Sequence, residues 1–188
     1  WRCGLTGPYH IAGAERVKQE TREVWMEKFG HRILEGYGAT ECSPVICCSL
    51  PHRAKPGSVG GFLPGIEARL EPVPGITEGG RLLVKGPNIM AGYMFSDKPG
   101  VLVPPENGWH DTGDIVEISD QDLVSIKGRA KRFAKIGGEM ISLAAVESMV
   151  TNAWPGHNHV VMNLPDARKG EQLVLVTDKL DADRASLE

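Results

Sequence analysis

The sequence predicts a mixed α+β protein that divides into three regions. Residues 1–43 carry a strand–helix–strand pattern, which is typical of the end of a parallel α/β sheet domain. Residues 44–128 contain short apolar runs between glycines and prolines, a pattern that predicts a distorted β-barrel or a curled sheet. Residues 129–188 alternate strand-like and helical patterns, and we expect a small α+β module that the chain end truncates.

Hydrophobic periodicity defines the first region. A strand-like run at 9–12 precedes apolar side chains at helical spacing over 15–29, and Gly30 is expected to end that helix. A second strand begins at Ile33 and runs into residues 36–38. Open α/β sheets bind ligands at the carboxyl ends of their strands, so the loop after this strand is a predicted binding site.

Shorter patterns predict the strands and helices of the other two regions. In the middle region, apolar or alternating runs predict strands at 67–70, 81–85, 115–118 and 123–127. The last region has a glycine pair that forms a turn, and then Ser142 as the cap of a helix that runs to Asn152. Strands are expected at 160–163 and 172–177, and another helix is expected to begin at Asp183.

Composition excludes several classes of function. A chain of 188 residues with 41% hydrophobic content can form a packed core. The net charge of −3 argues against nucleic acid as a partner. No apolar run is long enough to span a membrane. The chain begins at Trp1 without a secretory leader, and we interpret it as a piece of a longer protein.

The cysteines and histidines do not predict a metal site. No pair of cysteines has CxxC spacing, and the histidines show no ligand spacing, so a zinc centre is not expected. We interpret the cysteines as small buried side chains of a protein in a reducing compartment. The cysteines are Cys3, Cys42, Cys47 and Cys48.

A nucleotide site is predicted from three stretches that lie far apart in the sequence. The ring of Tyr37 can stack on a base, and the Thr40 hydroxyl can bond a phosphate oxygen. The Glu41 carboxylate can hold Mg²⁺, and the Asp114 carboxylate can accept hydrogen bonds from ribose hydroxyls. Arg129 offers a planar guanidinium to the sugar or the phosphates.

Each of these residues also has a purely structural interpretation. Tyr37 can be a core aromatic at a strand end, and Thr40 with Glu41 can simply begin a helix. Asp114 can be a turn residue, and Arg129 an ordinary surface cation. Five cations between residues 127 and 135 can be a solvated surface, a phosphate-neutralising patch or a docking site for an acidic partner. They are Lys127, Arg129, Lys131, Arg132 and Lys135.

The order and spacing of the motifs resemble the adenylate-forming superfamily, which includes acyl-CoA synthetases, luciferases and the adenylation domains of peptide synthetases. The match covers nearly the whole chain. It comprises Gly13-Ala14-Glu15 and residues 35–41, 55–60, 85–93, 108–114 and 128–129.

The resemblance implies ATP or AMP and Mg²⁺ as cofactors, and a role for each motif residue. Thr40, Glu41 and Lys131 are the implied catalytic residues: Thr40 binds the α-phosphate, Glu41 holds the metal, and Lys131 is the hinge of a C-terminal lid. Gly138 and Glu139 face the tunnel for the pantetheine arm. The implied cofactor-binding residues are Gly13, Ala14, Glu35, Gly36, Tyr37, Gly38, Thr40, Asp114 and Arg129.

Within the superfamily, residues 32–38 and 128–140 are similar to the bifunctional acyl-acyl-carrier-protein synthetases / 2-acylglycerophosphoethanolamine acyltransferases of Gram-negative bacteria. This resemblance implies activation of a fatty acid as acyl-AMP and transfer to the pantetheine thiol of acyl carrier protein. A lysophospholipid is the further substrate, at the cytoplasmic side of the inner membrane. The alternatives are coenzyme A as acceptor, a non-catalytic carrier-protein-docking module, and an unrelated nucleotide-binding domain.

The chain departs from the family pattern in several places. The phosphate loop rich in glycine, serine and threonine is absent from this sequence, and so is the family's catalytic lysine near the end of the lid. We therefore expect this chain alone to be inactive in adenylation. Arg132 stands where many members carry Asp, and Asp122 stands where a turn glycine is usual.

Overall fold

The computed structural model describes residues 9–183, which contain two α-helices and four β-sheets. This arrangement confirms the mixed α+β class. Cys3 and the helix predicted beyond Asp183 lie outside the described residues. The helices are α1 (Gln19–Phe29) and α2 (Leu143–Ala153). The strands are β1 (His10–Ala12), β2 (Ile33–Tyr37), β3 (Cys47–Cys48), β4 (Gly61–Phe62), β5 (Glu67–Glu71), β6 (Gly80–Lys85), β7 (Tyr93–Met94), β8 (Leu102–Val103), β9 (His110–Ile118), β10 (Val124–Arg129), β11 (Phe133–Ile136), β12 (Glu139–Ser142), β13 (His159–Asp166) and β14 (Gly170–Thr177).

The first sheet has the order β1-β2-β3-β4, and β1 and β2 run parallel with α1 between them. The helix begins at Gln19 and not near Glu15, because the preceding segment is extended. In that segment the amide of Val17 donates to the Glu35 carboxylate at 3.1 Å. Gly30 ends the helix as predicted, with φ 67° and its amide bonded to the carbonyl of Met26.

The second sheet is open, with the antiparallel order β10-β9-β6-β5. A two-stranded ribbon, β7-β8, lies between β6 and β9 in the sequence. The described residues therefore form no closed barrel in the middle region, which corrects the barrel prediction in favour of a sheet. The chain between β6 and β9 forms turns and the ribbon, so no strand joins the free edges of β5 and β10.

One core joins the first two sheets. Cys47 of the first sheet and Ile46 just before it pack with Leu82, Val84 and Val116 of the second sheet. All five side chains are fully buried. Cys42 is also fully buried, and Cys48 is half-buried, as expected for small apolar side chains. This shared core brings the end of β2 close to β9, near an irregularity in its pairing with β6.

The third sheet has the order β12-β11-β14-β13, and α2 packs against it. Ser142 caps α2 as predicted, because its hydroxyl accepts from the amide of Ala145 at 3.3 Å. Ala134, Leu143 and Val161 form its buried core. The division of the chain at residues 43 and 128 stays a prediction.

Residues 9–183 contain neither a membrane-spanning helix nor a cluster of metal-binding side chains. None of their helices is both long enough and apolar enough to cross a membrane. Their His, Cys, Asp and Glu side chains form no group of three or more that could hold a metal ion.

Candidate nucleotide site

The loop after β2 is tight and depends on glycine. The carbonyl of Tyr37 accepts from the amide of Ile46 at 2.8 Å, so the loop 38–45 closes back on the end of β2. A Cβ atom at Gly38 would lie 1.9 Å from the carbonyl oxygen of Pro44. Gly38 is therefore needed for packing, and any larger residue would move the Tyr37 loop.

A bulge in β9 directs the Asp114 side chain. Arg81 pairs with Ile115 and Leu83 with Asp111, so β9 has extra residues opposite β6. Gly113 has φ 71° within this bulge, a conformation that L side chains rarely adopt. The Thr112 hydroxyl donates to the carbonyl of Leu82 at 2.9 Å, and it accepts from the Asp114 amide at 3.2 Å.

Tyr37, Asp114 and Arg129 form one hydrogen-bonded chain. The Tyr37 hydroxyl donates to Oδ2 of Asp114 at 2.5 Å, and Nε of Arg129 donates to Oδ1 at 3.0 Å. Nη1 of Arg129 also donates to the carbonyl of Thr112 at 3.1 Å. Residues 37, 114 and 129 are thus neighbours in space, as the sequence predicted from widely separated motifs.

The surroundings of the Tyr37 hydroxyl keep it protonated and neutral. Burial raises the pKa of the Tyr37 hydroxyl well above its ordinary value, and the hydrogen bond to Asp114 raises it further. The Asp114 side chain is 8% exposed, whereas that of Arg129 is 65% exposed. Each Asp114 oxygen has a second lone-pair direction, so the carboxylate can accept from ribose hydroxyls as well. Part of the Tyr37 ring packs on the shared core, so its structural interpretation holds together with the functional one.

Glu41 lies in a single 3₁₀ turn at Thr40–Cys42, after the Tyr37 loop. Its own backbone amide lowers the pKa of its carboxyl group, and so do the Tyr93 hydroxyl and the charges of His110 and Arg129. The charge of Arg129, which pairs with Asp114, thus also favours the ionised form of Glu41. An ionised carboxylate at a turn suits Mg²⁺, which one or two carboxylates and substrate phosphates usually hold. The Thr40 side chain is exposed beside it.

The segment Gly13-Ala14-Glu15 after β1 adjoins this loop. A Cβ atom at Gly13 would lie 3.2 Å from the carbonyl oxygen of Gly36, so the ends of the two parallel strands are in contact. Ala14 is exposed and has φ 74°. Glu35 has a different environment, because its carboxylate accepts from Arg22 and from the Val17 amide. Glu35 therefore anchors α1 in this structure, and a nucleotide contact for it stays a prediction.

The chain is similar in sequence to proteins of a known family. Residues 5–94 match the sequence model of the family described as AMP-binding enzyme. The chain is 31% identical over 178 residues to the long-chain-fatty-acid–CoA ligase of Salmonella typhimurium, and the match covers 90% of this chain. Both likenesses support the AMP-binding enzyme superfamily as the family of this chain. The chain spans 31% of the length of that relative.

Solved structures of AMP-binding enzymes have the same fold. ATP-bound MatB from Rhodopseudomonas palustris is 30% identical with a TM-score of 0.72, over 95% of this chain and 37% of that one. O-succinylbenzoate coenzyme A synthetase (MenE) from Bacillus subtilis, in complex with AMP, is 27% identical with a TM-score of 0.73. That match covers 94% of this chain and 37% of the synthetase. These nucleotide complexes support ATP or AMP as the ligand.

Most of the cations at 127–135 are paired. Lys127 pairs with Glu117, Arg129 with Asp114, and both Glu147 carboxylate oxygens lie 2.6 Å from Arg132. Lys131 is exposed in a 3₁₀ turn between β10 and β11. Lys131 and Lys135 make no side-chain ion pair with any residue in 9–183. Among the five cations at 127–135, Lys131 and Lys135 are therefore the two that are open to a partner.

Sequence reasoning missed two residues of the site. Tyr93 donates to the Glu41 carboxylate at 2.8 Å, and Thr112 holds both Asp114 and Arg129. Both residues lie inside the family motifs, at 85–93 and 108–114, which was the available signal. Neither spacing nor residue type shows that a tyrosine fifty-two positions away meets Glu41.

A cleft of about 440 Å³ is lined by Tyr93, which contacts Glu41, but not by Glu41 itself. Tyr93, Trp109 and His110 are among its lining residues, and the Arg69 guanidinium lies 4.7 Å from the centre of the Trp109 ring. Its lining residues do not include Tyr37 or Asp114. The predicted site therefore has two parts, the Tyr37–Asp114–Arg129 chain and the Glu41 turn beside this cleft.

Proposed function

We propose that this chain forms the adenylate-binding wall of an AMP-forming fatty-acid ligase. The observation that carries the proposal is the hydrogen-bonded chain from Tyr37 through Asp114 to Arg129. It combines a ring that can stack on a base, a carboxylate that can accept from ribose, and a cation that can meet a phosphate or the sugar. The likeness to a long-chain-fatty-acid–CoA ligase supports a fatty acid as the substrate.

In the proposed reaction the fatty-acid carboxylate attacks the α-phosphorus of ATP, pyrophosphate leaves, and acyl-AMP forms. Tyr37 and Asp114 orient the nucleoside, and the Thr40 hydroxyl donates to an α-phosphate oxygen. Glu41 would hold Mg²⁺, which supplies charge neutralisation at the phosphates when bound. In the second step a thiol attacks the acyl carbonyl and AMP leaves. For this step the third region would rotate about Lys131 and exclude water.

Two acceptors fit the second step. The exposed Lys131 and Lys135 suit an acidic acyl carrier protein, which presents a pantetheine thiol. The printed names of the relatives instead favour coenzyme A. With the carrier protein, the whole protein would also pass the acyl group to a lysophospholipid at the cytoplasmic face of the inner membrane.

Charge reversal in the whole ligase distinguishes the acceptors. Lys135→Glu should slow transfer to carrier protein about tenfold if oppositely charged surfaces dock, and Lys131 stays unchanged because it is the proposed hinge. Transfer to coenzyme A should change less. The reverse pattern would favour coenzyme A as the natural acceptor. Arg132 stays unchanged in this design, because its pairing with Glu147 makes its loss a stability effect.

Fatty-acid-dependent exchange of pyrophosphate into ATP tests the proposed reaction. In the whole ligase, Glu41→Gln and Asp114→Asn should each lower exchange by about 100-fold or more, as expected for lost stabilisation of transition-state charge. Lys169→Ala, at an exposed turn far along the chain, serves as the control. Full exchange in both site variants would reject the proposal.

A further inference from the structure

The segment 88–93 clamps the Glu41 turn at several points. The Asn88 amide donates to the carbonyls of Cys42 and Val45, at 2.7 and 2.8 Å. The Met90 amide donates to the carbonyl of Glu41 itself at 2.8 Å. The backbone of the turn is therefore fixed without any contribution from Tyr93.

Tyr93 acts only on the Glu41 side chain. Its hydroxyl donates to Oε1 of Glu41 at 2.8 Å, although its ring is 45% exposed and lies 6.1 Å from the Phe95 ring. A half-exposed tyrosine gains little by directing its hydroxyl to a neighbouring carboxylate instead of water. The contact instead restricts the rotation of the Glu41 carboxylate, in addition to the hydrogen bond from the backbone amide of Glu41.

The chemistry of carboxylate ligands gives this contact a purpose. When one oxygen of a carboxylate binds a metal ion, a hydrogen bond to the other oxygen fixes the orientation of the group. Such supporting contacts typically change metal affinity by about 10- to 100-fold. With the Tyr93 hydroxyl on Oε1, Oε2 is the oxygen that a metal ion can approach without displacing that hydrogen bond.

We propose that Tyr93 is the positioning residue for the magnesium ligand: its hydroxyl holds Oε1 of Glu41 so that Oε2 binds the ion. This inference rests on the proposed function, because it takes Glu41 as the ligand for Mg²⁺. It assigns Tyr93 no contact with the nucleotide. Tyr93 therefore affects nucleotide binding only when the metal is present.

The test measures ATP affinity of the whole ligase by calorimetry, first in EDTA and then in excess Mg²⁺. The wild type should bind ATP in EDTA and bind it more tightly with Mg²⁺. Tyr93→Phe should match the wild type in EDTA but lose the gain from Mg²⁺ by about 10- to 100-fold. Tyr9→Phe removes a hydroxyl from another exposed tyrosine and should behave as the wild type.

Mn²⁺ supplies a second readout that does not depend on affinity for ATP alone. Water-proton relaxation by Mn²⁺ in the ATP complex reports how firmly the protein holds the ion. The enhancement should fall in Tyr93→Phe and persist in Tyr9→Phe.

The outcomes separate the inference from the proposed function. A Tyr93→Phe protein that keeps the full gain from Mg²⁺ overturns the inference and leaves the proposed function intact. Loss of ATP affinity in EDTA also overturns it, because the hydroxyl would then serve the fold. If the wild type binds no ATP under either condition, both the proposed function and the inference are wrong.

Discussion

Gly113 sets the direction of the Asp114 carboxylate. Its φ of 71° forms the bulge in β9, and a Cβ atom there would meet only the Arg129 guanidinium, at 4.0 Å. The obstacle to substitution is therefore the backbone conformation and not a steric clash. An alanine in this left-handed region costs roughly 1–2 kcal/mol.

Gly113→Ala should destabilise the chain by that amount and weaken AMP binding about tenfold, because relaxing the bulge turns Asp114 away. Gly137→Ala is the matched control. Gly137 also has a positive φ, of 60°, in the turn between β11 and β12 and with open space around it. It should lower stability similarly but leave AMP affinity unchanged. Equal AMP affinity in Gly113→Ala and the wild type would show that the bulge does not position Asp114.

The hydrogen-bond partners of Glu35 could not be predicted from its motif. Its place beside Tyr37 suggested a nucleotide contact, but its carboxylate bonds to Arg22 of α1. A motif gives the order of residues along a strand. It does not show which side chains the neighbouring helix has already satisfied.

At the scale of elements, one ion pair fastens α2 to the third sheet. Glu147 accepts from Arg132 with both oxygens, and its Oε1 also accepts from the Val161 amide at 2.8 Å. These contacts join α2 to the start of β11 and to β13. They explain why a basic residue at position 132 suits this chain.

Glu147→Gln should lower the free energy of unfolding by about 1 kcal/mol, since the pair is partly exposed and solvent screens it. Urea denaturation followed by circular dichroism measures the loss. Arg168→Ala, in an exposed turn, should stay within about 0.5 kcal/mol of the wild type. A Glu147→Gln protein as stable as this control would mean that the pair contributes nothing measurable.

Asp178 closes the other end of the third sheet and makes it sensitive to acid. The Asn158 side-chain and backbone amides hold the pKa of Asp178 below its ordinary value of 3.8, and His157 adds to the effect. A depressed pKa in the folded state means that this contribution to stability is present above pH 3.8 and is lost as pH falls below it.

The melting temperatures of the wild type and Asp178→Asn should therefore differ most near pH 5 and converge towards pH 2. Asp120→Asn, at another exposed turn, should show no such convergence. A gap between wild type and Asp178→Asn that stays constant down to pH 2 would contradict this assignment.

For the whole molecule, local patterns predicted the elements better than their assembly. The helix stop at Gly30 and the cap at Ser142 were predictable, because each depends on one residue and its nearest turn. The open second sheet was not, because sequence does not tell which strand edges stay unpaired.

The candidate site shows the same limit. The motifs predicted that Tyr37, Asp114 and Arg129 converge, and they form one bonded chain. Tyr93 and Thr112 were missed, because their roles arise from contacts between segments that only the shared core brings together.

The central claim is that Asp114 faces the ribose of a bound adenylate, and AMP compared with 2′,3′-dideoxy-AMP tests it most directly. In calorimetric titrations the wild type should prefer AMP by about 10- to 100-fold, the range expected for hydrogen bonds to a charged group. Asp114→Asn should bind the two nucleotides almost equally, with its loss of affinity confined to AMP. An Asp114→Asn protein that keeps the full preference for AMP would contradict the account.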